Sequence, residues 1–186
     1  MMYLSRGIPT PPHGDGVYRV SHCGRIYALG PESAALWQSG QFAPRPVLPG
    51  KDRMIARMEE SGLVVTTEES GPLGAYRLLA ACILCPNDKR QTDRFLTGVV
   101  RRMWIWLNDA GLRLTGCELI RLEERQVKPT PALLGESGRQ RLTEMIYMTD
   151  TIPDGILETA MEHSPARDGT IAAILKLLRT GRLALI

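Results

Sequence analysis

Two cysteines spaced as C-x-x-C, Cys82 and Cys85, are the residues whose type and spacing come nearest to a chemical motif. They lie in "LLAACILCPNDK", an apolar run that ends at Pro86. A redox C-x-x-C needs its first thiolate at an exposed helix N-terminus, where the pKa of the thiol is lowered. Here the neighbours are apolar, and an offset of three on a strand sends the two side chains to opposite faces. We therefore interpret both cysteines as buried thiols of a core.

A metal site or a redox pair is the alternative interpretation of these cysteines. Further zinc ligands would have to come from His22, Cys23, Cys117 and His163, and none of these pairs with another at ligand spacing. No serine lies in a G-x-S-x-G elbow, and no phosphate-binding glycine loop follows a strand. We therefore predict no metal, no cofactor and no catalytic residue, so that the chain is not an enzyme.

The composition is that of an ordinary globular protein. The chain has 186 residues, 44% of them hydrophobic and 23% charged, with a formal net charge of +3. It contains no apolar run of the ~20 residues that a membrane span needs. The opening "MMYLSRGIPTPPHGDG" lacks the pattern of a signal peptide, and its Pro, Gly and Ser content predicts a flexible leader over residues 1–14. We expect a cytoplasmic protein with reduced thiols and no membrane association.

The elements that follow the leader begin with two strands. "GVYRVSHCGRIYALG" alternates apolar and polar residues on either side of a turn. "PESAALWQSG" and "KDRMIARMEESG" then predict helices, each ended by a glycine. The next stretch, "GLVVTTEESGPLGAYRLLAACILCP", has an apolar run, a polar tip and a second apolar run, which predicts a β-hairpin.

The order of helix, Gly62, "LVV", flexible tip and "AYRLL" resembles the end of a winged-helix domain, over roughly residues 50–82. The resemblance implies that the helix before the hairpin lies in the major groove of DNA and that the hairpin is the wing. Arg53 and Arg57, one helical turn apart, and Arg77, on the returning strand, would then contact phosphates or base edges. A solvated helix face is the alternative interpretation of these arginines.

Residues 15–70 also resemble the PqqD-like peptide-binding domains, themselves a winged-helix variant, through "ALGPESAALW" and "MIARMEESGLVV". That resemblance implies three strands before the helices and a leader peptide that adds to the sheet edge. The prolines of "APRPVLPG" depart from a DNA-reading domain, and the hundred further residues depart from the PqqD-like pattern. Glu68 and Glu69 at the predicted wing tip would repel phosphate.

The second half is predicted to be mostly helical. Thr92 is a candidate N-cap for the first helix, and Thr115 with Glu118 has the spacing of a capping box. The helix, turn and shorter helix in this region resemble the start of a second helix-turn-helix unit. Arg121 and Arg125 are its candidate nucleic-acid contacts, with a solvated surface as the alternative. "LLRTGRLALI" repeats the helix, glycine and strand order of "MEESGLVVTT".

Two further apolar features predict contacts between domains or chains. Trp104 lies off the apolar stripe that Trp106 continues, so this helix is apolar on more than one face and is expected to contact a partner. The apolar strand "LALI" at the end of the sequence is expected to pair with another strand.

These observations predict an α+β protein of tandem winged-helix-like domains with a helix-rich second half. The predicted divisions are a leader (1–14), a winged-helix-like domain (15–86) and a helical, second winged-helix-like domain (87–186). The first predicted function is a DNA-binding transcriptional regulator, acting as a homodimer on duplex DNA. The alternative is a PqqD-like module that binds a peptide or protein without catalysis.

Overall fold

The computed structural model describes residues 1–11, 14, 16–80, 82–87, 95–109, 111–147 and 154–186, with the backbone alone for 154–156. Helices and short antiparallel strands are mixed along the chain, so the predicted α+β class is confirmed. The strands are β1 (Met2–Ser5), β2 (Ile8–Pro9), β3 (Tyr18–His22), β4 (Arg25–Leu29), β5 (Arg45–Pro46), β6 (Val64–Thr67), β7 (Ile83–Pro86), β8 (Leu114–Thr115) and β9 (Leu183–Leu185).

Helices occur in both halves of the chain and contain most of the described residues of the second half. They are α1 (Pro31–Gly40), α2 (Asp52–Glu60), α3 (Gly71–Ala80), α4 (Gly98–Trp104), α5 (Gly116–Glu124), α6 (Pro131–Leu134), α7 (Arg139–Tyr147), α8 (Asp154–Glu162) and α9 (Arg167–Arg179). A π-helical turn, Ile105–Asp109, extends α4, and a 3-10 turn, Glu136–Gly138, precedes α7. Among the described residues, no helix has the length and apolar character that crossing a membrane requires.

The strands form three antiparallel sheets of three strands each. Their orders are β5-β1-β6, β2-β3-β4 and β8-β7-β9. The predicted pair in the first half is confirmed as β3 and β4, joined by a two-residue turn at Cys23 and Gly24. Both turn residues have positive φ, 48° and 76°, which matches the twist of a tight hairpin.

β1 lies between two hydrophobic cores, because successive side chains of a strand point to opposite faces. Tyr3 enters the first core, where it packs with Val20, Trp37 and Ile55. Leu4, fully buried, enters the second core instead. Hydrogen bonds hold α1 on the first face of β1. The Tyr3 hydroxyl donates to the Leu36 carbonyl, the Ser5 hydroxyl to the Trp37 carbonyl, and the Trp37 indole to the Arg6 carbonyl, at 3.0, 2.7 and 2.9 Å.

The predicted flexible leader is wrong for residues 2–9, which form β1 and β2. β1 pairs with β6 over four residues, from Met2 opposite Thr67 to Ser5 opposite Val64. β2 pairs with β3 and supplies a third strand to the sheet of the predicted pair. Pairing with distant strands satisfies the backbone groups that a loose leader would leave to water. Residues 12 and 13 of the predicted leader lie outside the described residues.

The predicted wing is also wrong, because its second strand is the helix α3. β6 pairs with β1 and not with the residues that follow it. Pro72 stands in the first turn of α3, where proline is tolerated, and Leu73, Tyr76 and Ala80 repeat at helical spacing on the side that packs in the second core. The apolar run read as a strand is thus the buried face of a helix.

The repeated helix–glycine–strand order is confirmed at both places. α2 and α9 each end with a glycine of positive φ, Gly62 at 74° and Gly181 at 67°. In both cases the backbone N–H of the residue after the glycine donates to the carbonyl five residues earlier. Leu63 donates to Met58 at 2.8 Å, and Arg182 donates to Leu177 at 3.0 Å. This is the Schellman arrangement, which needs a left-handed residue and so favours glycine. β6 and β9 follow directly.

Two further predictions for the second half are confirmed, the capping box and a partner strand for the apolar strand at the end of the sequence. The Thr115 hydroxyl accepts from the Glu118 N–H, and the Glu118 carboxylate accepts from the Thr115 N–H, which completes the capping box. Thr92 lies outside the described residues. Trp104 and Trp106 are both buried in the second core of this same chain. β9 pairs with β7, so the apolar strand at the end of the sequence has its partner within the chain.

Candidate functional site

A groove of about 400 Å³ separates β4 from α2. One wall is the chain from Tyr27 to Leu29, and the other is a stripe of α2 and its flanking residues, with Leu63 and Ser33 completing the lining. The members of the stripe follow the helical repeat, which keeps them on one side of α2. They are Gly50, Arg53, Met54, Arg57, Met58 and Ser61.

β4 is an edge strand of its sheet. It pairs with β3 on one side, from Tyr18 opposite Leu29 to His22 opposite Arg25, and no described strand pairs with its other side. Within β4 there is no proline to block pairing, and its one charged residue is Arg25 at the start. The strand edge therefore offers backbone donors and acceptors beside the groove.

Apolar side chains form part of the groove surface. Met58 and Leu63 are buried in the first core, and Tyr27, Leu29 and Met54 pack against it while partly exposed. Methionine is flexible and polarisable, and this suits a surface that accommodates varied side chains. The arrangement resembles other ligand clefts in having an apolar surface with few polar groups.

The charged groups that the described residues bring to the groove are all positive. Arg53 and Arg57 are exposed, and neither guanidinium has a hydrogen bond or ion pair with a described residue. No carboxylate of a described residue belongs to the lining. Glu59, on another side of α2, accepts a hydrogen bond from the Thr66 hydroxyl at 2.6 Å and points away from this stripe. The two arginines are thus available to a ligand with negative charge.

The other three arginines predicted to contact nucleic acid are engaged within the chain. Arg77, on α3, lies 3.1 Å from the Glu162 carboxylate. Arg121 pairs with Glu124 at 2.8 Å, and Arg125 donates to the Met145 carbonyl at 2.6 Å. All three belong to elements of the second core, whereas Arg53 and Arg57 are on a helix of the first. The structure does not bring the five predicted residues to one surface.

The Cys82 and Cys85 side chains are buried, as predicted, with exposed fractions of 0% and 7%. Cys82 precedes β7 and donates to the Leu78 carbonyl at 3.1 Å, and Cys85 lies within β7. Burial raises the pKa of the Cys82 thiol to about 12, so the thiol is protonated at neutral pH. Among the described residues no group of three or more His, Cys, Asp or Glu side chains could hold a metal ion.

A second polar feature lies at the tip of the β3–β4 hairpin. The His22 ring is 7% exposed, and its Nε2 is 3.4 Å from the exposed Cys23 thiol. Its Nδ1 is buried without a hydrogen-bond partner among the described residues. Burial and, next, the Arg6 guanidinium lower the pKa of His22. Gly62 covers the ring, since a Cβ there would lie 3.1 Å from Nε2.

The sequence identified Arg53 and Arg57 but not the surface to which they belong. Tyr27 and Leu29 lie within the predicted strand pair, and Met54 lies within a predicted helix. The helical repeat from Gly50 to Ser61 was the signal that could have found one wall. The facing wall has no such signal, because the packing of β4 beside α2 depends on tertiary structure.

Comparisons with protein-family models, with curated proteins and with solved structures find no match to this chain.

Proposed function

We propose that this protein is a peptide-binding module that takes an extended segment of another protein as an additional strand beside β4. The observation that carries the proposal is the unpaired edge of β4 facing a groove of about 400 Å³. A peptide added to a sheet edge gains backbone hydrogen bonds, while pockets for alternate side chains give specificity. The groove between β4 and α2 supplies such pockets.

The strand order of the first half supports the same proposal. β2, β3 and β4 form a three-stranded antiparallel sheet that precedes α1 and α2. Three strands before the helices is what the PqqD-like resemblance implies, and β2 is the strand that the sequence did not reveal. The chain acts here by binding, with no catalytic step of its own.

The proposal can be tested by selecting a random library of 12-residue peptides on the immobilised protein. We expect enrichment of peptides whose binding, measured by fluorescence polarisation, weakens at least tenfold in Ser33→Tyr, which places a ring at the groove wall. Ser137→Tyr, at an exposed position of the second half, is the matched control and should bind as the unmodified protein does. Circular dichroism verifies that both variants are folded. Absence of any peptide that discriminates between the variants would contradict the proposal.

Strand addition predicts a further property of the selected peptide. Only alternate backbone N–H groups of an edge peptide face the sheet. Two versions of the peptide are therefore made, each N-methylated at one set of alternate residues. One version should lose binding and the other should keep most of it. Equal behaviour of the two versions would rule out strand addition.

Binding of duplex DNA by a homodimer is the second candidate function. It is favoured by Arg53 and Arg57, which have no partner among the described residues, and by the order α4, β8 and α5 at the start of the second half. The candidate predicts that mixed duplex DNA binds at 50 mM salt with steep salt dependence and that Arg53→Ala with Arg57→Ala weakens it. Sedimentation measures the predicted dimer. Failure to bind duplex DNA at 50 mM salt would eliminate this candidate.

A further inference from the structure

The positions of Arg53 and Arg57 bear on which peptide the groove accepts, if the proposed peptide-binding function is correct. They are four residues apart on α2, which is about 6 Å along a helix axis. Side chains two residues apart on one face of an extended chain are separated by about 6.6–6.8 Å. If a peptide strand runs along α2 in the groove, its side chains at positions i and i+2 therefore have nearly the same spacing as the two guanidiniums.

We infer that the preferred ligand is an extended peptide with two acidic side chains at positions i and i+2, one for each arginine. Charge complementarity supports this occupant, since the described residues of the groove lining supply two guanidiniums and no carboxylate. A guanidinium binds a carboxylate through two parallel N–H donors, which gives direction as well as attraction. The residue between the two acidic positions points away from α2, because strand side chains alternate.

The apolar part of the lining adds a third requirement. Tyr27, Leu29 and Met54 present partly exposed apolar surface in the same groove. An apolar side chain two residues before or after the acidic pair lies on the same face of the peptide and contacts this surface. The inferred recognition pattern is therefore an acidic pair at i and i+2 with an apolar residue at i−2 or i+4.

A peptide fits this charge pattern better than a nucleic acid does. Asp52 and Glu60 lie on α2 outside the groove lining, and both are exposed. A duplex carries phosphates across a surface wider than the groove and would approach these carboxylates. A single strand within the groove contacts only the lining, where the charges are positive.

The peptides enriched by the library selection test this inference separately from the proposed function. We expect acidic residues at i and i+2 among peptides that Ser33→Tyr fails to bind. Replacing either acidic residue by its amide should weaken binding about threefold, as for partly exposed ion pairs. In Arg53→Gln, the amide at one of the two acidic positions should no longer weaken binding. In Arg57→Gln, the same should hold for the amide at the other position.

Reversing the charges provides a second readout. In the variant with Arg53→Glu and Arg57→Glu, selection should enrich basic residues at i and i+2. The control variant, with Arg139→Glu and Arg141→Glu on the exposed side of α7, has the same net charge and should keep the acidic pattern. Enriched peptides without the acidic pair would overturn the inference while leaving peptide binding intact. A library without enriched peptides, or DNA binding that depends on the same arginines, would overturn both.

Discussion

His22 lies among groups that oppose its protonation. Its ring is buried at the end of β3, beneath Gly62 and near the Arg6 guanidinium. Burial disfavours the imidazolium because a charged ring loses its hydration, and the neighbouring positive charge adds to the effect. Arg6 is itself held in place, since its Nε donates to the Gly62 carbonyl at 3.0 Å. The His22 ring is therefore neutral in the folded protein at neutral pH.

Acidification is expected to destabilise the protein through His22. The unfolded chain binds the proton near pH 6.5, and the folded chain binds it only at lower pH because its pKa is lowered. The stability that the neutral ring contributes is thus present above pH 6.5 and is lost as the pH falls below it. Urea denaturation between pH 7.5 and 5.5 should show a steeper fall in the free energy of unfolding for the unmodified protein than for His22→Gln. His163→Gln, at an exposed histidine, should keep the steep fall, and equal slopes for all three proteins would refute the prediction.

β1 is the element on which both cores depend. It pairs with β5 and β6 on its two edges and sends Tyr3 and Leu4 into different cores on its two faces. The Gly7 N–H, just after this strand, donates to the Leu185 carbonyl of β9 at 2.6 Å. A strand paired on both edges and buried on both faces contributes to stability well beyond its four residues.

Truncating Leu4 is expected to be as costly as truncating a residue in the middle of a core. Leu4→Ala should reduce the free energy of unfolding by about 2–5 kcal/mol, because it removes a fully buried side chain and leaves a cavity. Ile26→Ala, at an exposed position of β4, should change it by no more than about 0.5 kcal/mol. Urea denaturation measures both. A negligible effect of Leu4→Ala on the free energy of unfolding would contradict this prediction and favour a flexible leader.

The elements that the sequence predicted well are those with local signals. α1, α2 and α5 begin and end near proline, acidic or glycine residues that act within one turn, and the Thr115 capping box is such a signal. β1 has no local signal, because its partner β6 lies about sixty residues along the chain and only pairing makes "MYLS" a strand. α3 forms where a strand was predicted, because a short apolar run fits a strand or a buried helix equally well.

The candidate site was predicted in part for the same reason. The exposed, helical positions of Arg53 and Arg57 follow from the periodicity of α2 alone. Arg77 contacts Glu162, Arg121 contacts Glu124, and Arg125 contacts Met145. These contacts depend on tertiary packing or on the rotamer that each side chain adopts. The groove lies between β4 and α2, so neither segment reveals it by itself.

The two cores form one connected molecule through β1, α3 and β9. The first core consists of residues between Tyr3 and Val64, and the second consists mainly of residues after α3 begins, together with Leu4. α3 contacts both β1 and α9, so it joins the strand shared by the cores to the longest described helix. Sharing a buried strand couples the unfolding of one core to that of the other.

Unfolding of the two cores is therefore expected to coincide. Hydrogen exchange with mass spectrometry, followed across a urea series, should show protection of residues 18–29 and 171–178 lost at the same urea concentration. These segments lie in β3–β4 and in α9. Leu4→Ala should move both transitions to lower urea together. Two separate transitions would instead favour the predicted division into independent domains at residues 15–86 and 87–186.

The long-range pairing of β1 also determines when this strand can form during protein synthesis. Tyr3 pairs with Thr66, which is made 66 − 3 = 63 residues later. At about 5–20 residues per second, β1 waits roughly 3–13 s on the ribosome before its partner strand exists. Once β1 has left the ribosomal exit tunnel, its apolar residues and free backbone groups are open to chaperones and to other nascent chains until β6 can pair with it. The yield of native protein should therefore respond to translation speed, and codons that slow synthesis between β1 and β6 should lower it.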